Sequence, residues 1–184
     1  MSVITRELLN PQEASDAITT AQSMDSAEWR HAGVSGRDGS GVVDPTVRSV
    51  QQLSLGAPFH RLRDRILQGV AEVNSETFEF DLWGTAEGDD TSILRYQSDA
   101  QDHYRPHRDY GPSTPTRKLT FVVQLSTPDS YIGGDLVFPD ENTRAPRDRG
   151  TLIVFPTFLR HTVTPVVAGT RYAVVGWVHG PTFK

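Results

Sequence analysis

Cysteine is absent from the 184 residues, which excludes a disulfide framework, a thiol nucleophile and any thiolate metal site. A metal held by this chain must therefore take nitrogen and oxygen ligands. There is no run of lysine or arginine that could track a phosphate backbone, and the net charge is -5, so neither nucleic acid nor an anionic membrane is expected as a partner. No apolar stretch approaches the roughly 20 residues that a membrane-spanning helix needs. The opening "MSVITRELLN" lacks the basic start and apolar middle of a signal peptide. The expectation is a soluble, cytoplasmic protein. The length suits one domain, residues 1–184, with a sizeable core.

What is present changes in texture along the chain. In "NPQEASDAITTAQ" Asn10 can cap a helix, Pro11 suits its first turn and Glu13 can close a capping box. In "APFHRLRDRILQGVAEV" Phe59, Leu62, Ile66, Val70 and Val73 recur at three- and four-residue spacing, the apolar stripe of a helix that packs on a sheet. Between them, residues 34–49 are glycine-rich and without period, read as a mobile loop with a short strand after it. Residues 1–76 thus read as helical support and loop. From about residue 77 come short β-rich runs, "TFEFDL", "TSILRY", "KLTFVVQL", "DLVF", "GTLIVF" and "RYAVVGWV", separated by turn residues. The fold class is mostly β with N-terminal helices, and residues 77–184 suit a double-sheet jelly roll. In "KLTFVVQL" Leu119, Phe121, Val123 and Leu125 make one apolar face, while Thr120, Val122 and Gln124 make a mixed face beside which a pocket could lie.

The chemistry gathers in "HYRPHRDYG", residues 103–111. On a strand, His107 and Asp109 would project to the same side. His161, 52 residues beyond Asp109, is the best third donor. Two imidazoles and one carboxylate form the facial triad of non-haem Fe(II) oxygenases. A His-x-Asp pair alone is a weak signal, since short motifs recur by chance. A further feature is Arg171, ten residues after His161, which enters an otherwise apolar strand where a buried guanidinium needs an anion. A structural salt bridge would explain that arginine equally well. His103 lies four before His107, but "YRP" breaks a helix and the glutamate of a His-Glu-x-x-His site is missing. His31, His60 and His179 stand in no ligand pattern, and "IGGDLVF" reads as a turn entering a strand.

Together these residues resemble the iron and 2-oxoglutarate dependent dioxygenases of the prolyl 4-hydroxylase-like (PKHD-type) branch. The similarity runs through "VDPTVRSVQQL", "ILRYQSDAQDHYRPHRD", "RKLTFVVQLS" and, most specifically, "RGTLIVFPTFLRHTVTPVVAGTRYAVVGWV". It implies a double-stranded β-helix, Fe(II) on His107, Asp109 and His161, and Arg171 on the distal carboxylate of 2-oxoglutarate. It implies a cosubstrate contact at Tyr96, an aromatic beside the iron pocket at Trp177, and substrate-side roles for Tyr104 and Arg117. Gln124 stands where relatives place a tyrosine or threonine that assists the arginine, a departure from the pattern. The implied reaction uses O2 to hydroxylate an unactivated C–H bond with release of succinate and CO2, and leaves open a need for ascorbate. Because Asp109 is a carboxylate, hydroxylation is favoured over halogenation. The expected substrate is a prolyl or other amino-acyl group of a peptide or protein, with a free amino acid or small metabolite as the alternative. Nucleobase repair is disfavoured, because the second arginine of that branch is replaced by Trp177. A zinc hydrolase and a non-catalytic jelly-roll binding module are the rival classes.

Overall fold

The computed structural model describes residues 3–35 and 41–183, so residues 36–40 of the segment read as a mobile loop lie outside the described residues. The helix at Pro11–Ser23 (α1) starts where the capping signals place it. Asn10 accepts from the Glu13 N–H at 2.9 Å, and the Glu13 carboxylate accepts from the Asn10 N–H at 2.7 Å. The second helix, His60–Val73 (α2), turns Ile66, Val70 and Val73 inward.

Two antiparallel sheets face each other. The larger has the order Ile4–Glu7, Thr151–Pro156, Arg117–Gln124, Val166–His179, Ser92–Gln97, Gln51–Ser54, Arg30–His31, with Tyr131–Gly133 also pairing on the long Val166–His179 strand. The smaller has the order Thr143–Arg144, Leu136–Phe138, His161–Val163, His103–His107, Arg48–Ser49. Both sheets therefore take strands from the first 76 residues as well as from the β-rich remainder.

Side-chain alternation divides the core into two layers. Leu119, Phe121, Val123 and Leu125 join Leu152, Val154 and Val174 under the helices, where Ile66, Val70, Val73 and the alanines of α1 meet them. The opposite faces of the same strands, with Val122, Ile153, Phe155 and Ala173, pack against Leu136, Phe138 and Val163 of the smaller sheet. This sandwich, with helices on one outer face only, is the expected jelly roll.

Two local readings differ from the structure. "TFEFDL" is not a strand: Asn74–Phe78 extends α2 as a π-helical turn and Glu79 adopts φ 50°. The Asn74 side chain accepts from the Phe80 N–H at 3.1 Å and donates to the Phe80 carbonyl at 3.0 Å. A side-chain clasp thus takes the place of a ladder partner, and the alternating Phe78, Phe80 and Leu82 pack against the edge of the helix-side core. In the aperiodic 34–49 segment, Val34–Ser35 and Gly41–Val42 pair as a two-stranded ladder. Two-residue strands carry no detectable period. No helix among the described residues is long and apolar enough to cross a membrane.

Candidate metal and cosubstrate site

His107 ends one strand of the smaller sheet and His161 begins its neighbour, and the ladder register sets them directly opposite each other with ring centroids 4.2 Å apart. Each Nδ1 lies against the carbonyl of the residue two positions earlier, Arg105 at 2.8 Å and Leu159 at 3.0 Å. A carbonyl can only accept, so Nδ1 carries a proton and Nε2 is the ring nitrogen turned inward. Asp109 is not on the strand, as simple alternation would have it, but just beyond its end. Its N–H and that of Tyr110 both donate to the Thr157 carbonyl, at 3.0 and 3.1 Å. This bend lays the carboxylate between the imidazoles, with Oδ1 3.5 Å from His107 Nε2 and Oδ2 3.4 Å from His161 Nε2. The three donor atoms lie within 4.8 Å of one another, and they are the only such group among the described residues.

This donor set fits a divalent cation. Ligand atoms about 2.0–2.2 Å from one ion stand ~3 Å apart, close to the separations observed. Burial alone would raise the Asp109 pKa, but the imidazoles of His161 and His107 and the Thr120 hydroxyl outweigh it and hold the carboxyl well below the usual range. Thr120 donates to Oδ2 at 2.6 Å. Burial pushes His161 down to about 4, against the attraction of Asp109, so its ring is neutral near pH 7. An ionised carboxylate and an imidazole with a free lone pair are the protonation states that a metal requires.

The other wall comes from the larger sheet. Along Val166–His179, Arg171, Ala173, Val175 and Trp177 share one face. Their cross-strand partners are Tyr96 opposite Arg171, Gln124 opposite Ala173 and Thr120 opposite Trp177. The register thus gathers around one cavity residues that are far apart in sequence. Arg171, Tyr96, Trp177, Thr120, Tyr104 and the three metal-ligand candidates all line it. Arg171 is 2% exposed and, among the described residues, forms no ion pair and has no partner at Nε; its Nη2 donates to Gln124 Oε1 at 2.9 Å, and its guanidinium lies 5.2 Å from the Tyr96 ring centre. A structural salt bridge is therefore not the reason for this arginine. Gln124 does not line the cavity; its amide donates to the Pro146 carbonyl at 2.9 Å, which fixes the oxygen on Arg171. Gly134 (φ 64°) lets the turn lie against the arginine, since a Cβ there would come within 3.0 Å of Arg171 Cδ.

Tyr104 stacks on His107 with centroids 3.4 Å apart, and burial pushes its phenol up to about 12. Arg117 is held by both oxygens of Asp89 and lies 3.7 Å over the Trp177 ring, on the wall of an adjoining polar groove of about 650 Å³. His31, His60, His103 and His179 join no metal-ligand group among the described residues; His179 instead sits beside Asp89 and Thr116. Two further residues of the site were not singled out in the sequence. Thr120 orients the carboxylate, and its presence on the mixed face of "KLTFVVQL" was the available hint. Arg48 lines both the cavity and the groove. A lone arginine between valines in "DPTVRSV" is the same kind of signal that drew attention to Arg171.

A double-stranded β-helix with a His-x-Asp and distant His cluster between its sheets defines the class of non-haem iron oxygenases. Residues 91–179 match the family model of the 2OG-Fe(II) oxygenase superfamily. A PKHD-type hydroxylase of Synechococcus elongatus is 30% identical over 171 residues, covering 85% of this chain and 70% of that protein. A PKHD-type hydroxylase of Maricaulis maris is 45% identical over 78 residues, 41% of this chain and 36% of that protein. In fold, the crystal structure of a Pseudomonas putida prolyl-4-hydroxylase superposes with a TM-score of 0.72 at 18% identity, covering 97% of this chain and 92% of that one. A viral collagen prolyl hydroxylase from Paramecium bursaria Chlorella virus-1, solved with 2OG, gives 0.71 at 19% identity over 98% and 97%. The chain belongs to the PKHD-type hydroxylases of the 2OG-Fe(II) oxygenase superfamily. The match spans only about a third of the length of the first curated relatives, 36%, 28% and 37% of the first three. Fe(II) and 2-oxoglutarate are the cofactors that the family carries with it.

Proposed function

We propose that this chain is an Fe(II)/2-oxoglutarate-dependent dioxygenase that hydroxylates an unactivated C–H bond of a prolyl or other amino-acyl substrate. The observation that carries the reading is the pairing, across one cavity, of the His107–Asp109–His161 cluster with the buried Arg171, which has no ion-pair partner among the described residues. A zinc hydrolase needs the first but gives no reason for the second, and a binding module needs neither.

Bound together, iron, 2-oxoglutarate and dioxygen supply the oxidising power for hydroxylation, with succinate and CO2 released. His107, Asp109 and His161 would hold the metal on one side and leave the other open for exogenous ligands. Thr120 donates to Asp109 Oδ2 and so fixes its rotamer. Arg171, steadied by Gln124, would receive the distal carboxylate of 2-oxoglutarate, and Tyr96 would line the channel beneath it. Trp177, Tyr104 and Arg117 would stand on the substrate side, where the inner cavity opens into the polar groove. An amino-acyl substrate is supported by the names of the relatives. One of the superposed structures, a prolyl hydroxylase from Trichoplax adhaerens, was solved with a hypoxia inducible factor peptide, at 15% identity and a TM-score of 0.72. Anaerobic addition of Fe(II) and 2-oxoglutarate should produce a visible charge-transfer band, and aerobic succinate release across a panel of peptides and free amino acids should identify the substrate. A protein that binds neither, or hydrolyses without consuming O2, would remove the assignment.

A further inference from the structure

Arg48 and Arg171 are the two buried arginines among the described residues, 9% and 2% exposed, and neither forms an ion pair. The proposed function accounts for Arg171 and leaves Arg48 without a counter-charge among the described residues. Burying a guanidinium with no anion is costly, so a second such group beside one cavity calls for a second anionic ligand. Arg48 stands opposite Tyr104 in the ladder that leads to His107. Its guanidinium lies 4.7 Å over the Tyr104 ring, and that ring stacks on His107. Its Nη1 donates to the Gly33 carbonyl at 2.8 Å, while Nε is buried without a partner and Nη2 makes no hydrogen bond among the described residues. The unused Nε–Nη2 edge is the side-on fork that fits the two oxygens of a carboxylate. Arg48, Val175 and Trp177 line both the inner cavity and the outer groove, and the Trp177 indole N–H is another buried donor with no partner. Two orphan donors therefore flank the seam between the cavity and the groove.

We propose that Arg48 receives a carboxylate of the substrate, so that the group hydroxylated lies close to its own free α-carboxylate. This rests on the oxygenase reading above and narrows it. The substrate is a free amino acid or the carboxy-terminal residue of a peptide, rather than an internal residue of a chain. Arg171 and Arg48 then divide the two anions between them, one for the cosubstrate and one for the substrate, around the cavity that the metal ligands share.

The test reads Arg48 itself. In protein loaded with redox-inert Zn(II) and 2-oxoglutarate, the 15N–1Hε resonance of Arg48, assigned by its loss in Arg48→Lys, is followed during titration with matched acid and amide pairs. The pairs are L-proline and L-prolinamide, L-leucine and L-leucinamide, and alanyl-proline and its amide. At least one acid should shift the resonance saturably while its amide binds on the order of 100-fold more weakly. A free amino acid as the stronger arm marks a small-molecule substrate, and the dipeptide acid marks a chain terminus. Arg48→Met, followed at the Trp177 indole N–H resonance instead, should raise the half-saturation for that acid by a similar factor and leave that for 2-oxoglutarate within about twofold. If no acid in the panel shifts the resonance, or acids and amides act alike, the inference is overturned. An anaerobic Fe(II) and 2-oxoglutarate charge-transfer band obtained alongside such a result would leave the oxygenase reading standing.

Discussion

Replacing Arg171 by methionine should have opposite effects on ligand binding and on the fold. The guanidinium is 2% exposed, has no carboxylate partner among the described residues, and is held by Gln124 Oε1 and the face of Tyr96. Methionine removes an uncompensated buried charge and fills most of the same space. It leaves Gln124 Oε1 without its donor, at a cost of about 1–3 kcal/mol. Relief of the buried charge is of comparable or larger size, so the apo protein should keep its melting temperature or gain slightly. Binding behaves differently, because the distal carboxylate would enter a buried site with nothing to pair with. The expected loss is about 3–5 kcal/mol, or roughly 150- to 5,000-fold in 2-oxoglutarate affinity. Anaerobic titration of 2-oxoglutarate into the Fe(II)-loaded variant, followed by the charge-transfer band, measures it, and a chelator competition should find metal affinity unchanged. An affinity within threefold of the parent protein would refute the anchor. A large fall in apo stability would refute the argument that Arg171 is not a structural residue.

Thr120→Val, nearly isosteric, removes the 2.6 Å donor to Asp109 Oδ2 and should weaken metal binding by about 10- to 100-fold with little loss of fold, as read by chelator competition and thermal melting. Metal-free protein should lose stability on acidification. His161 has a pKa of about 4 when folded against about 6.5 unfolded, so the unfolded chain takes up the proton first as pH falls. That contribution is complete above pH 6.5 and is lost progressively down to pH 4, on the order of 3 kcal/mol by urea titration across that window. Excess Zn(II) at pH 6.5 should shift the curve toward higher stability. Gly133→Ala should be strongly destabilising, by several kcal/mol, because φ is 79° and the new Cβ would fall 2.0 Å from the Pro165 carbonyl oxygen. A melting temperature unchanged in that variant would show that the turn does not need its left-handed backbone.

Local signals determine a large part of this protein. The caps and apolar stripes of α1 and α2 and the alternation in "KLTFVVQL" can be read along the chain, because each depends on neighbours within a few residues, while His107, Asp109, His161 and Arg171 could be singled out as candidates by residue type and by resemblance to the family. The clasp that turns "TFEFDL" away from strand geometry was not legible, since an asparagine side chain six residues back competes with the ladder and alternation cannot register it. The bend after His107 was equally hidden, because it is imposed by the Thr157 carbonyl from the turn that follows a distant strand. Tertiary structure alone decided which residues meet. Ladder register sets His161 against His107, Tyr96 against Arg171 and Thr120 against Trp177, and a shift of one residue would turn each of these side chains to the other face. It also decided that Arg48 and Arg171 are buried with no carboxylate partner among the described residues. The sequence supplies the charge of an arginine, but whether a counter-ion lies within reach depends on the packing of strands far apart in the chain.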